Sequence, residues 1–161
     1  PPMNIGGKKV LKGRNKYYLV DAALRNAILL LGEEALSNSR EMGLIVETTV
    51  FKHLYAYYYK DIPKIGYWRD SATEKEVDII VESPAYKLPI EIKYQEQAAL
   101  EKSGGLVTYC TKEKIKKAYL VTKSEQDIGV FNVEGTDAQF LKIPAHIFCY
   151  LLGQAERLLW K

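Results

Sequence analysis

A single α/β domain is what the 161-residue chain predicts, and three observations carry that expectation. Apolar residues recur at helical spacing as far as about Tyr59, switch to a period of two between Ile65 and Tyr94, and return to helical spacing after Pro144. With 47% apolar and 27% charged residues, the length suits one hydrophobic core rather than two. Between the helical ends, short extended runs follow one another closely, as they do in a sheet.

Taken in order, Tyr17 to Val20 reads as a short extended run, and Asp21 sits where an N-cap would open a helix from Ala22 to Leu31, stopped by Gly32. A longer helix is expected from Leu44 to Tyr59, with Leu44, Phe51, Leu54 and Tyr58 on its apolar stripe and Asp61 and Pro63 ending it. One acidic residue, Glu47, lies in that stripe. Ile65–Asp70, Lys75–Glu82 and Lys87–Tyr94 then read as three strands of an antiparallel meander. Ala98 to Lys117 reads as helix interrupted at Gly104-Gly105, Lys117 to Lys123 as a fourth strand, and 130–133 and 140–143 as two short ones. Pro144 suits the first turn of a closing helix.

Composition narrows the function classes. A formal charge of +3 is mild, so a nucleic-acid footprint must come from local clusters such as Lys8–Lys16 or Lys112–Lys117. Cys110 and Cys149 are far apart with no Cys-x-x-Cys spacing, which argues for buried free thiols in a reducing cytosol and against a zinc ribbon or disulfide framework. No apolar run approaches the roughly 20 residues of a membrane span, so no membrane partner is expected and a cytoplasmic location is. Gly6-Gly7-Lys8-Lys9 lacks the upstream Gly, the following Ser or Thr and the preceding strand of a phosphate loop. Residues 1–16, Gly- and Lys-rich and without periodicity, read as a flexible lead-in from a larger protein, and 17–161 as the folded domain.

The chemistry concentrates in the meander. If Ser83 to Tyr86 form the connecting loop, antiparallel register places Asp78 directly across from Glu91, with both carboxylates on a shared face. Like charges so placed repel, and a divalent cation removes the penalty. Mg²⁺ or Mn²⁺ prefers hard oxygen ligands and needs only one or two carboxylates beside a substrate phosphate. Lys93 shares the face with Glu91 and is placed to hold a phosphate oxygen or orient a water. Glu47 adds a third carboxylate if its helix packs over this face. The same residues also admit a plainer arrangement, in which Asp78 or Glu91 pairs with Lys93 and Glu47 pairs with Arg69 or Lys93, without metal.

The ordered set resembles a known family. Glu47 on a helix, Glu76-Val77-Asp78 on a strand and Ile90-Glu91-Ile92-Lys93 on the next are similar to the acidic motif of PD-(D/E)XK phosphodiesterases. More closely, Lys16-Tyr17-Tyr18-Leu19-Val20-Asp21, Gly43-x-x-x-Glu47, Tyr67-Trp68-Arg69-Asp70, Glu76-Val77-Asp78 and Pro89-Ile90-Glu91-Ile92-Lys93 resemble the uncharacterised C-terminal domain that follows an AAA-type ATPase module in archaeal and bacterial proteins. The resemblance implies a restriction-endonuclease-like mixed sheet flanked by helices in one domain. It also implies a metal-dependent, DNA nuclease-like hydrolase site of Asp78, Glu91, Lys93 and Glu47, with Asp78 and Glu91 as ligands of Mg²⁺ or Mn²⁺. DNA and the ATPase module are then the expected partners. The alternative it leaves is an inactive nuclease-fold module that binds protein or nucleic acid and regulates its ATPase.

Overall fold

A computed structural model describes residues 1–3 and 14–159 of the chain. Three helices lead, α1 (Ala22–Ile28), α2 (Glu34–Ser37) and α3 (Ser39–Tyr57), followed by the strands β1 (Lys64–Arg69), β2 (Glu76–Glu82) and β3 (Lys87–Lys93). Helix α4 (Gly105–Glu113), the strands β4 (Lys117–Thr122), β5 (Gly129–Asn132) and β6 (Gln139–Pro144), and helix α5 (Ala145–Leu159) complete the domain. The strands form one sheet in the order β1-β2-β3-β4-β6-β5. It is mixed: β1–β2, β2–β3 and β5–β6 are antiparallel, whereas β3–β4 and β4–β6 are parallel. Parallel neighbours need a crossover, and α4 lies in the one between β3 and β4.

Local chemistry sets the helix ends. Asp21 opens α1 by accepting from the Ala23 N–H at 2.8 Å, as expected, but the helix stops at Ile28 because Leu30 takes a positive φ of 55°. Asn38 accepts from the Arg40 and Glu41 amides, so α3 begins well before Leu44. Its buried stripe is Val46, Val50 and Leu54, while Leu44 is 41% exposed. The helix expected over 98–117 is confined to Gly105–Glu113. A Cβ on Gly105 would lie 2.1 Å from the Glu76 carbonyl oxygen, so only glycine lets α4 start this close to β2.

Two apolar layers cover the sheet. On one face, Val46, Val50 and Leu54 of α3 and Phe148 of α5 pack over Ile79, Val81, Ile90, Val121 and Ile143. On the other, Leu106, Val107 and Cys110 of α4 pack over Val77, Ile80, Leu120 and Phe140. The assignment of Val77 and Ile80 to one layer breaks the strict alternation expected of β2. Gly66 pairs with Ile80 and Trp68 with Val77, so β2 carries one residue more than β1 and Tyr67 opposes both Asp78 and Ile79. This β-bulge turns Asp78 to the α3 side, with Ile79 and Tyr67.

Of the first sixteen residues, expected as a flexible lead-in, 4–13 lie outside the described residues, together with the Gly6 to Lys9 stretch. Met3 is 2% exposed in the α4-side core, and its N–H donates to the Tyr67 carbonyl at 2.7 Å along the outer edge of β1. Lys16 is drawn into the sheet by charge. Replacing Gly105 by Ala should cost about 1–3 kcal/mol or more, because α4 must move off β2. Urea unfolding of wild type and Gly105→Ala checks this, and equal midpoints would refute the close approach.

Candidate functional site

The bulge, the end of β3 and the inner side of α3 meet at one end of the sheet. β2 enters the sheet at this end and β3 leaves it, so Asp78 and Glu91 are brought to the same end. The β2–β3 register pairs Ile79 with Ile90 and Ile80 with Pro89, and the ladder stops there, one residue short of the expected Asp78–Glu91 pair. Pro89 causes no slip; it sits one residue before the β4 ladder begins at Ile90.

The shared face is a different matter, and here the expectation is corrected. Glu91 alternates with Ile90 and Ile92 of the α3-side layer, so its carboxylate faces α4, where Oε2 accepts from the Leu106 N–H at 3.1 Å. Asp78 is turned the other way by the bulge. Its Oδ2 accepts from the Ile92 N–H at 2.8 Å, replacing a backbone partner where the β2–β3 ladder ends. Lys93 lies beside Glu91, with Nζ 3.4 Å from Oε1, and also reaches the Ala99 carbonyl at 3.2 Å and Glu101 at 3.6 Å.

Neither Arg69 nor Lys93 pairs with Glu47. Its partner is Lys16, whose Nζ lies 3.1 Å from Glu47 Oε1, 2.5 Å from Glu76 Oε1 and 3.4 Å from Asp78 Oδ1. The Tyr18 hydroxyl donates to the same Glu47 oxygen at 2.7 Å while its ring stacks on Phe51 at 4.0 Å. The Lys16 ammonium also sits 5.2 Å from the Tyr67 ring centroid. Arg69 bonds Glu74 and lies 4.0 Å from Glu76.

The electrostatics follow from this crowding. Burial pushes the Asp78 carboxyl up to about 6, with Glu47 adding to the rise and Lys16 and the Ile92 amide opposing it. Burial also raises Glu91, against the pull of Lys93 and the Leu106 amide. At Lys16 burial disfavours the charge, but Asp78, Glu76 and Glu47 outweigh it and hold the ammonium above the ordinary lysine range. The Tyr18 phenol is held well above its usual range by burial and by Glu47, so it remains a hydrogen-bond donor.

These contacts test the suitability of the site for a hard divalent cation. The donors are of the right kind, since three carboxylates converge on one positively charged atom. That atom belongs to Lys16, and among the described residues no group of three His, Cys, Asp or Glu side chains, this one included, is arranged to hold a metal ion. Of the four residues singled out by the sequence, Glu47 and Asp78 meet around Lys16, and Glu91 and Lys93 form a second pair on the α4 side.

Lys16, Tyr18 and Glu76 were not chosen as site residues from the sequence. Lys16 lies in the aperiodic lead-in and Tyr18 in the short extended run after it, and their one signal is a place in the Lys16-to-Asp21 motif. Glu76 has its one signal in the Glu76-Val77-Asp78 motif. Tyr18→Phe should keep the stack on Phe51 yet remove a donor from a partly buried carboxylate, costing about 1–2 kcal/mol. Denaturant titration of both proteins checks this, and a change within error would show that water replaces the hydroxyl.

A sequence profile described as a domain of unknown function, DUF4143, matches residues 42–143. No curated protein matches the chain. Among the described residues, no helix is long and apolar enough to cross a membrane. The matched span takes in Glu47, Glu76, Asp78, Glu91 and Lys93 and leaves Lys16 and Tyr18 ahead of it, and since it covers more than half of the chain, the protein belongs to the DUF4143 family.

Proposed function

We propose that this domain is a nuclease-like phosphodiesterase of the PD-(D/E)XK type, dependent on Mg²⁺ or Mn²⁺, directed to DNA and coupled to an AAA-type ATPase module. The observation that supports it best is the convergence of Glu47, Glu76 and Asp78 on a single positive charge, with the Glu91–Lys93 pair at the same end of the sheet. Four carboxylates against Lys16 and Lys93 leave this end net negative and repel a phosphodiester, so chemistry on DNA calls for additional positive charge. The company that this family commonly keeps with AAA ATPase domains supports the assigned partner.

In this reading a metal would be held from the Asp78 side, with Glu47 and Glu76 completing the acidic shell, while Glu91 acts through Lys93 at the same end of the sheet. A bound divalent ion supplies Lewis acidity and lowers the pKa of a water. The chain's own residues do the positioning. Lys93, anchored on Glu91 and the Ala99 carbonyl, presents its ammonium to a phosphate oxygen or to the attacking water. Tyr18 and Lys16 fix the Glu47 carboxylate over the end of β2.

The contacts of Lys16 also favour a second reading. An acidic centre that already holds a cation of its own needs no metal, and a nuclease-fold module that has ceased to cut and regulates its ATPase by binding protein or nucleic acid would look the same.

Cleavage of single-stranded, duplex and branched DNA with Mg²⁺ or Mn²⁺ separates the two. Under the phosphodiesterase reading, Lys93→Ala lowers the rate on the order of 10² to 10³ while leaving the fold intact. Added Mg²⁺ or Mn²⁺ should raise the melting temperature of wild type and not of Asp78→Asn. Absence of cleavage even with the ATPase module joined, with equal thermal response in both proteins, would transfer the assignment to the binding module.

A further inference from the structure

β1 is the outermost strand at its side of the sheet, and a piece of this same chain is laid along its outer edge. Pro2 pairs with Tyr67 in parallel: the Tyr67 N–H donates to the Pro1 carbonyl at 3.2 Å, and the Met3 N–H donates to the Tyr67 carbonyl at 2.7 Å. The edge is shaped for its occupant. A Cβ on Gly66 would lie 2.5 Å from the Pro1 carbonyl oxygen and 2.8 Å from Met3 Cγ, so glycine opens the notch through which Met3 reaches the core. Backbone pairing and a side-chain notch are the two components of strand addition.

The direction of that pairing shows where a longer strand would lie. Because Pro1–Met3 runs parallel to β1, the same line extended toward Pro63 passes beside Ile65, whose N–H and C=O alternation turns to the same edge as those of Tyr67. A groove flanks this path. Its volume is about 440 Å³, Tyr55, Tyr59, Ile62 and Pro63 line it, and Phe51 and Ile65 are shared with the cavity beside Pro1. Tyr55, Tyr59 and Ile62 are each more than half exposed, so an apolar surface and an outward-facing strand edge coincide. We propose that the outer edge of β1 and this groove form a strand-addition site for an extended peptide of a partner protein, running parallel to β1 in the sense that Pro1–Met3 already takes. Side chains level with Ile65 and Pro63 fall on the α3 side, so the peptide carries apolar residues at those alternate positions. The proposal is independent of the chemistry at the acidic cluster.

Fluorescence anisotropy of the labelled peptide acetyl-Val-Thr-Val-Pro-Pro-Met-Asn, titrated with the full chain, tests this. The two valines are placed for the groove and the methionine for the Gly66 notch. The chain's own segment competes for that notch, so Met3→Ser should bind the peptide about tenfold more tightly than wild type. Ile62→Ser and Tyr59→Ser, both at the exposed rim, should each weaken binding by about tenfold, and a peptide of reversed sequence should not bind. If Met3→Ser does not fold, wild type against Ile62→Ser at up to millimolar protein decides the matter. Absence of binding in every folded protein, equal binding of the reversed peptide, or unchanged affinity in both rim variants overturns the site. So does a wild-type dimer in sedimentation that Ile62→Ser dissociates, because a second copy then fills the groove.

Discussion

One surplus residue in β2 determines how charge is arranged at the end of this sheet. With regular pleating, Asp78 would lie on the α4 side with Ile80 and Glu91, and two partly buried carboxylates would face each other across one ladder position. Because Tyr67 opposes both Asp78 and Ile79, the two acids part to opposite sides of the β2–β3 pair at the end where its ladder stops. Each then finds its own donors, Asp78 the Ile92 amide and Lys16, Glu91 the Leu106 amide and Lys93. The division of the site into a lysine-centred cluster and a lysine–glutamate pair follows from that single insertion.

The strands, their order through the meander and the β2–β3 register from Ile79 to Glu82 were legible because a four-residue loop from Ser83 to Tyr86 leaves few alternatives. The Glu47 helix was legible from its period and its stripe in Leu54 and Tyr58, although Val46 and Val50 are buried where Leu44 was expected. The bulge was not legible. Its trace in the sequence is the unbroken run Ile79-Ile80-Val81, and a strand covered on both faces reads the same way without any insertion. The true start of α4 was hidden for a related reason. Gly104-Gly105 marked an interruption, but only the approach of the Glu76 carbonyl shows that the helix begins there.

Lys16 escaped for a different physical reason. Its role depends on three acidic side chains that lie 31, 60 and 62 positions away, and nothing local to Lys16 records them. Long ammonium stems are placed by the charges they find, and the acidic partners alone would have suggested a metal. The sequence thus exposes the demand for a cation at this end of the sheet more readily than the identity of the group that meets it.

Glu91 carries one further implication. Gly104, at the N-cap position of α4, has no side chain with which to cap the helix, and the Leu106 amide in the first turn is satisfied by the Glu91 carboxylate. A strand residue therefore acts as the missing cap, and its negative charge sits where the helix dipole favours it. Any ligand that draws Glu91 away uncaps α4, at a cost of about 0.5–2 kcal/mol by the usual worth of a cap. Binding at the sheet end is in this way wired to the stability of the crossover helix, and the start of α4 becomes a sensor of what Glu91 is holding.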